Sequence, residues 1–258
     1  MVINFLKHCS IQNTVVLQTV VWSKKQKRAF NCIKTGLELS RRLNYEVRFV
    51  TLTTSDLQYS KEGYLPTGIN ESFRKFKQII RRTKIQDLIK NGYLRSEQIH
   101  KYYSGKKMGH KLQFDYFKIT TNEGNGVLHI LYKGDYIPYN YIVDIWQDIH
   151  NSKMVNIQKV KTTKQSIKNT TFYVISQYLS NQGSSYQRSS KSWLWTIRDY
   201  FKQFNDYIIR CKARYYYNPV KNIFYKNHKE VDIWEKWINL LLKLLKPPPK
   251  QLLLSEWY

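Results

Sequence analysis

The chain has 258 residues, enough for one sizeable core with an extension at each end, and its 43 Lys and Arg against 18 Asp and Glu give a formal net charge of +25. This charge favours an anionic partner, and 21 Tyr with 7 Trp favour single-stranded nucleic acid, because aromatic rings stack on unpaired bases. The three cysteines, Cys9, Cys32 and Cys211, are widely spaced, which indicates neither a disulfide framework nor a zinc knuckle and favours an intracellular location. No apolar run is long enough for stable membrane insertion.

Residues 24–42 are predicted to form a basic amphipathic helix within a basic N-terminal extension, residues 1–44. The segment has seven basic residues and one acidic residue, and its apolar residues recur at roughly helical spacing. Two interpretations are open: a solvated helix packed on the core, or a helix that contacts DNA through Lys24, Lys25 and Arg28.

A central strand followed by a second basic helix is predicted next. The strand reads VRFVTLTTS and is rich in β-branched residues, and the helix reads INESFRKFKQIIRRTKI. Asn70 is expected to cap this helix, with the phenylalanines and isoleucines as its buried stripe. The exposed face is suited to phosphate contact, and the DNA-binding candidates on it are Arg74, Lys75, Arg81 and Arg82, with Arg188 further along the chain.

The middle of the chain predicts a hairpin, a helix, a strand and a final helix. The hairpin joins strands 114–121 and 127–133 through NEGNG, whose residues tolerate positive φ. The order strand, helix, hairpin, helix, strand, helix is typical of an α+β fold, an antiparallel sheet with helices packed on one face, as in ferredoxin-like and RNA-recognition-like proteins. This domain is predicted to span residues 45–205, followed by a basic and aromatic C-terminal helical extension, residues 206–258.

His129 is the first candidate for chemistry. Side chains two apart in a strand share a face, so Val127, His129 and Leu131 are predicted to point the same way. The imidazole is either a packed core residue or a metal ligand.

These segments resemble the rolling-circle replication initiators of the HUH endonuclease superfamily over about residues 47–200. FVTLTT resembles the family's first motif, and Val127-Leu128-His129 its His-hydrophobic-His strand. Tyr178-Leu-Ser-Asn181 resembles the YxxK helix that carries the catalytic tyrosine. The chain departs from the pattern at Val127, which replaces the first histidine, and at Asn181, which replaces the lysine.

The resemblance implies an HUH nuclease fold that nicks single-stranded origin DNA through a tyrosine, leaving a 5′-phosphotyrosine and a free 3′-OH. It also implies a divalent cation, Mg²⁺ or Mn²⁺, with His129 and Glu123 as metal candidates. Tyr173 and Tyr178 project about 140° apart on a helix, so only one can face the site. Tyr178 fits the family spacing better, and the catalytic candidates are Tyr178, Tyr173, Asn181 and Gln182.

Further expectations concern partners and alternatives. No P-loop motif occurs, so strand separation is expected to need a host helicase, with a host polymerase extending the product. A homo-oligomer is possible, and the location is a prokaryotic cytoplasm or an organelle. A transposase of the same chemistry, or a binding protein whose cleavage site is lost, are the competing functions. The helix predicted over 231–245 is either a membrane-surface anchor or a helix packed on the core or on a second subunit.

Overall fold

The computed structural model describes most of the chain between residues 24 and 245. The described ranges are 24–55, 66–121, 126–161, 163–179, 188–192, 195–196, 200–219, 223–227 and 229–245.

The described residues form eight helices and eight strands. The helices are α1 Lys24–Arg42, α2 Pro66–Arg82, α3 Ile85–Lys90, α4 Ser96–Tyr103, α5 Tyr139–His150, α6 Lys164–Leu179, α7 Tyr200–Arg214 and α8 Ile233–Leu245. The strands are β1 Val47–Thr53, β2 Phe114–Thr121, β3 Val127–Gly134, β4 Val155–Val160, β5 Arg188–Lys191, β6 Tyr216–Asn218, β7 Ile223–Lys226 and β8 Lys229–Val231.

Five strands form the main sheet in the order β4-β1-β3-β2-β5, and every neighbouring pair is antiparallel. Helices α2 to α4 connect β1 to β2, and α5 connects β3 to β4, which is the split βαβ arrangement. The predicted α+β class with an antiparallel sheet is therefore confirmed. The register places Thr51 and Ile119 on either side of His129.

One face of the sheet is covered by α2 and α5. The apolar residues of α2 recur at helical spacing, and Phe73 and Phe76 pack edge-on against Tyr116 and Trp146. Leu52 and Ile130 supply the sheet side of this core.

The opposite face is covered by α1 and α6. Ile33 of α1 and Val174 of α6 belong to one buried cluster with Ile119 and Leu131 of the sheet. The prediction of helices on one face is therefore wrong. The reason lies in the strands: β2 and β3 are apolar at both alternating sets of positions, as expected of strands buried on both sides. Helix α1, predicted as part of an extension, packs directly on the sheet.

The predicted cap of the second helix is also wrong. Helix α2 begins at Pro66, a residue favoured in the first helical turn because it lacks an N–H. Asn70 therefore lies inside the helix. Its side-chain oxygen accepts hydrogen bonds from Lys118 and from the hydroxyl of Thr120.

The C-terminal elements are α7, a three-stranded meander of β6 to β8, and α8. Trp237 and Leu241 of α8 are buried against Leu39 of α1, and Arg42 of α1 donates to Glu235 of α8. Of the three interpretations of this helix, packing on the rest of the chain is the one observed. None of the described helices combines the length and the apolar character needed to cross a membrane. Residue 205, where a domain boundary was predicted, falls inside α7.

Candidate functional site

His129 is buried in the middle of the sheet face that α6 covers. It is 4% exposed, and its ring stacks on Phe49 with centroids 5.7 Å apart and an interplanar angle of 11°. Burial lowers the pKa of His129 from 6.5 to about 4, because a charged imidazole would lose its hydration there. The side chain is therefore neutral at physiological pH.

Helix α6 brings one of the two candidate tyrosines to the same place. The ring of Tyr173 meets the ring of Phe49 edge-on, with centroids 5.7 Å apart, and the side chain is 42% exposed. Phe49 thus contacts both His129, which lies beneath the surface, and Tyr173, which lies at the rim.

Tyr178 lies on α6, four residues after Val174 and three after Ile175, both of which are buried against the sheet. Residues three and four apart share one side of a helix, so the backbone of position 178 is on the sheet side. The side chain of Tyr178 lies outside the described part of the chain, as do Asn181 and Gln182. The preference for Tyr178 over Tyr173 stays a prediction.

No family model, curated protein or solved structure matches this chain. The resemblance to HUH initiators therefore depends on the motifs and on where the fold places them.

The described residues do not fit a Mg²⁺ or Mn²⁺ site. The cross-strand neighbours of His129 are Thr51 and Ile119, and Val127 precedes it on the same face. Among the described residues, no group of three or more His, Cys, Asp and Glu could hold a metal ion. Mg²⁺ and Mn²⁺ prefer several oxygen ligands. The second predicted ligand, Glu123, lies outside the described ranges. The metal requirement stays a prediction.

The predicted DNA contacts on α2 do not share a face with His129. Helix α2 packs on the opposite side of the sheet, and Lys75 and Arg82 are exposed there. Arg74 forms a bidentate ion pair with Glu71, with nitrogen–oxygen distances of 2.5 and 2.8 Å, which offsets part of its charge. Of the other candidates, Arg28 is exposed on α1, and the side chains of Lys24, Lys25 and Arg188 lie outside the described part.

The fold forms a basic cleft that the sequence alone did not indicate. It has a volume of about 680 Å³ and lies beside β2, and its lining includes Lys77 and Arg81 of α2 and Lys111. The Arg81 guanidinium donates to the carbonyl of Phe114 and lies 3.9 Å from Asp115. The basic residues of α2 were visible in sequence, but the approach of Lys111 depends on tertiary structure.

His150 is the last residue of α5. The side chain is buried, with its Nδ1 2.9 Å from the hydroxyl of Ser72 and its Nε2 3.0 Å from that of Thr54. It ties the C-terminus of α5 to α2 and to the end of β1. Asp144 and Asp148 on the same helix are exposed.

Proposed function

We propose that this protein is a replication initiator that nicks single-stranded origin DNA through a tyrosine of α6. One observation carries the proposal. Helices cover both faces of the sheet, and α6 packs on the face that holds His129 rather than on the opposite face. The two motifs that resemble the HUH pattern are thus brought to one side of one sheet, where Tyr173 and His129 contact the same ring of Phe49.

The proposed reaction is a transesterification. The tyrosine oxygen bonds to the phosphorus, the bond from phosphorus to the 3′ oxygen breaks, and the 3′ oxygen leaves as a hydroxyl. The phenol proton passes to a base, and the leaving 3′ oxygen takes up a proton from that base, so the reaction balances. The base is needed because a phenol with a pKa of ~10 is a weak nucleophile near neutrality.

The test is formation of a covalent adduct. A random-sequence, AT-rich single-stranded DNA labelled at its 3′ end is incubated with the full chain and Mn²⁺ or Mg²⁺, then separated by denaturing electrophoresis. The label belongs at the 3′ end because the tyrosine keeps the 5′ phosphate of the 3′ fragment. We expect a labelled protein band that Tyr178→Phe abolishes and Tyr173→Phe retains. The reverse pattern would move the role to Tyr173.

A second function, binding of single-stranded nucleic acid without cleavage, is favoured by the burial of His129. An imidazole that is 4% exposed beneath Phe49 is typical of a packed core residue. This function predicts that no adduct forms with any variant, while Tyr178→Phe leaves DNA affinity unchanged.

The initiator proposal includes partners. A separate host helicase would open the duplex and a host polymerase would extend the 3′-OH, within a prokaryotic cytoplasm or an organelle. A transposase would use the same cleavage step. Purified protein supplied with an origin-bearing supercoiled plasmid distinguishes the two, because an initiator relaxes it without needing a second DNA end.

A further inference from the structure

The basic cleft beside β2 has two cations of α2 at its wall. Lys77 and Arg81 are four residues apart, which puts them on one side of the helix. The ammonium of Lys77 lies 5.8 Å from the centre of the Tyr116 ring, and the guanidinium of Arg81 donates to the carbonyl of Phe114. Tyr116 and Phe114 both line the cleft, so the charged ends of both side chains are located there.

A third cation comes from the segment before β2. Lys111 is exposed, lines the cleft and lies directly opposite Lys84 in an isolated antiparallel bridge. Residues opposite each other in such a bridge have neighbouring side chains, and like charges there are destabilising. Like charges four residues apart in a helix, as at Lys77 and Arg81, are destabilising too. The fold thus brings like charges together twice beside this strand, and a bound anion would relieve both repulsions.

Carboxylates compensate these charges only in part. Within the part of the chain that the structure describes, neither Lys77 nor Lys111 has a carboxylate at ion-pair distance. Asp115 also lines the cleft and lies 3.9 Å from Arg81. It is paired across the sheet with the buried Lys133, and its negative charge acts on that lysine as well. One shared carboxylate therefore faces three cations.

The sequence around the cleft supports the same charge balance. Residues 72–86, which include most of α2, and residues 98–114 contain no Asp or Glu. Lys191 lines the cleft as well, but it pairs with Phe117 and shares the sheet face that α1 and α6 cover. The positive charge of the cleft therefore comes from α2 and from the segment before β2.

We infer that the basic cleft binds backbone phosphates of single-stranded nucleic acid through Lys77, Arg81 and Lys111. Lysine contacts phosphate as a point charge, and the fork of arginine matches two phosphate oxygens. Because the cations come from two separate segments, a ligand with several phosphates can contact them together. The inference relies on the proposed function for the class of ligand. It assigns a contact on the side of the sheet opposite to His129 and α6.

The test measures fluorescence anisotropy of a labelled dT 15-mer with the full chain at several salt concentrations. The cleft triple variant carries Lys77→Gln, Arg81→Gln and Lys111→Gln. It should lower the slope of log Kd against log salt by about 2, because each phosphate contact on a single strand contributes ~0.7. At ~0.1 M salt this loss corresponds to roughly 100-fold weaker binding. Thermal unfolding of the variant checks that the fold is retained.

Two further variants separate local contact from net charge. Lys90→Gln with Lys202→Gln and Lys243→Gln removes the same charge from exposed positions elsewhere. This control triple should keep the slope of the parent and an affinity within about three-fold of it. Lys77→Arg with Lys111→Arg keeps both charges and should also bind within about three-fold of the parent. Equal slopes in the cleft triple and the parent, or equal changes in the two triples, would overturn the inference.

Lysine acetylation of the unaltered protein tests the same contact without a variant that must fold. With the dT 15-mer bound, Lys77 and Lys111 should be acetylated more slowly, as measured by mass spectrometry, whereas Lys90 and Lys243 should react as before. Unchanged acetylation of Lys77 and Lys111 would overturn the inference. Protection of these two lysines by tripolyphosphate but not by the dT 15-mer would also overturn it, because the cleft would then serve a smaller phosphorylated ligand.

The remaining outcomes separate this inference from the proposed function. A lower salt slope in the cleft triple without any covalent adduct in the parent would leave the cleft contact standing and refute nicking. An adduct together with an unchanged slope in the cleft triple would do the opposite. A parent that binds no single strand would refute the cleft contact.

Discussion

Acidification should destabilise the protein through His129. The unfolded imidazole takes up a proton as the pH falls through 6.5, whereas the buried imidazole stays neutral until about pH 4. The unfolded state therefore binds more protons over this window, and the free energy of unfolding decreases as the pH falls. The contribution reaches about 2 kcal/mol between pH ~7.5 and pH ~5, and about 3 kcal/mol at pH ~4.

Urea unfolding of the parent and of His129→Leu at pH ~7.5 and pH ~5 isolates this contribution from the other titrating groups. Leucine keeps the site apolar, as its strand neighbours Leu128 and Leu131 are. The parent should lose about 2 kcal/mol more than the variant on acidification. His100→Gln, at an exposed position of α4, is the control and should behave as the parent does. Equal losses in the parent and in His129→Leu would refute the burial of this imidazole.

Three further predictions concern the scaffold around the site. A Cβ at Gly36 would lie 2.2 Å from Nε1 of Trp195, so Gly36→Ala should lower the free energy of unfolding by about 1–3 kcal/mol in the same urea titration. A Cβ at Gly109 has nothing within 4 Å, so Gly109→Ala should not lose stability through such a clash. Asp135 is buried and accepts hydrogen bonds from Lys106, from His110 and from the backbone N–H of Gln113, so Asp135→Ala should lower the free energy of unfolding by about 3 kcal/mol or more, measured by thermal unfolding. Glu97 belongs to an exposed ion pair worth about 0–1 kcal/mol. A loss in Asp135→Ala as small as that in Glu97→Ala would contradict this prediction. Arg42 donates hydrogen bonds to Glu38 and to Glu235 of α8, so Arg42→Ala should make α8 more susceptible to limited proteolysis. The control is Arg74→Ala, which breaks an exposed ion pair within α2 and should leave the digestion pattern unchanged.

Local patterns predicted the elements of the central domain well. The hairpin strands predicted over 114–121 and 127–133 are observed as Phe114–Thr121 and Val127–Gly134, because the turn residues and the apolar runs are local signals. The helix and the strand predicted after the hairpin are also observed in that order, as Tyr139–His150 and Val155–Val160.

The layers could not be predicted in the same way, because a buried strand can be apolar on both sides without revealing which helix covers each side. Helix α1 was predicted within an N-terminal extension and either packed on the core or in contact with DNA, and the packing of Ile33 and Leu37 on the sheet agrees with the first interpretation. Asn70 looked like a cap because a helix pattern began after it, but Pro66 starts the helix one turn earlier. The pairing of Arg74 with Glu71 and the bridge from His150 to Ser72 and Thr54 depend on side-chain geometry.

The candidate site was predicted in part. Alternation in β3 correctly put His129 on one face with Leu131, but sequence gave no sign that Phe49 would stack on its ring. The contact between Phe49 and Tyr173 joins residues far apart in the chain, so it required the fold. The basic residues of α2 were predicted to be exposed, and they are. Their position across the sheet from His129 was not predicted.

The most direct test of the nicking proposal is to map the DNA-linked residue. After incubation with single-stranded DNA and Mn²⁺, the protein is digested with nuclease and trypsin, and the peptide of residues 169–188 is sequenced by tandem mass spectrometry. The account predicts a nucleotide attached through phosphate to Tyr178. A nucleotide on no residue of that peptide, under conditions where the DNA is bound, would contradict it.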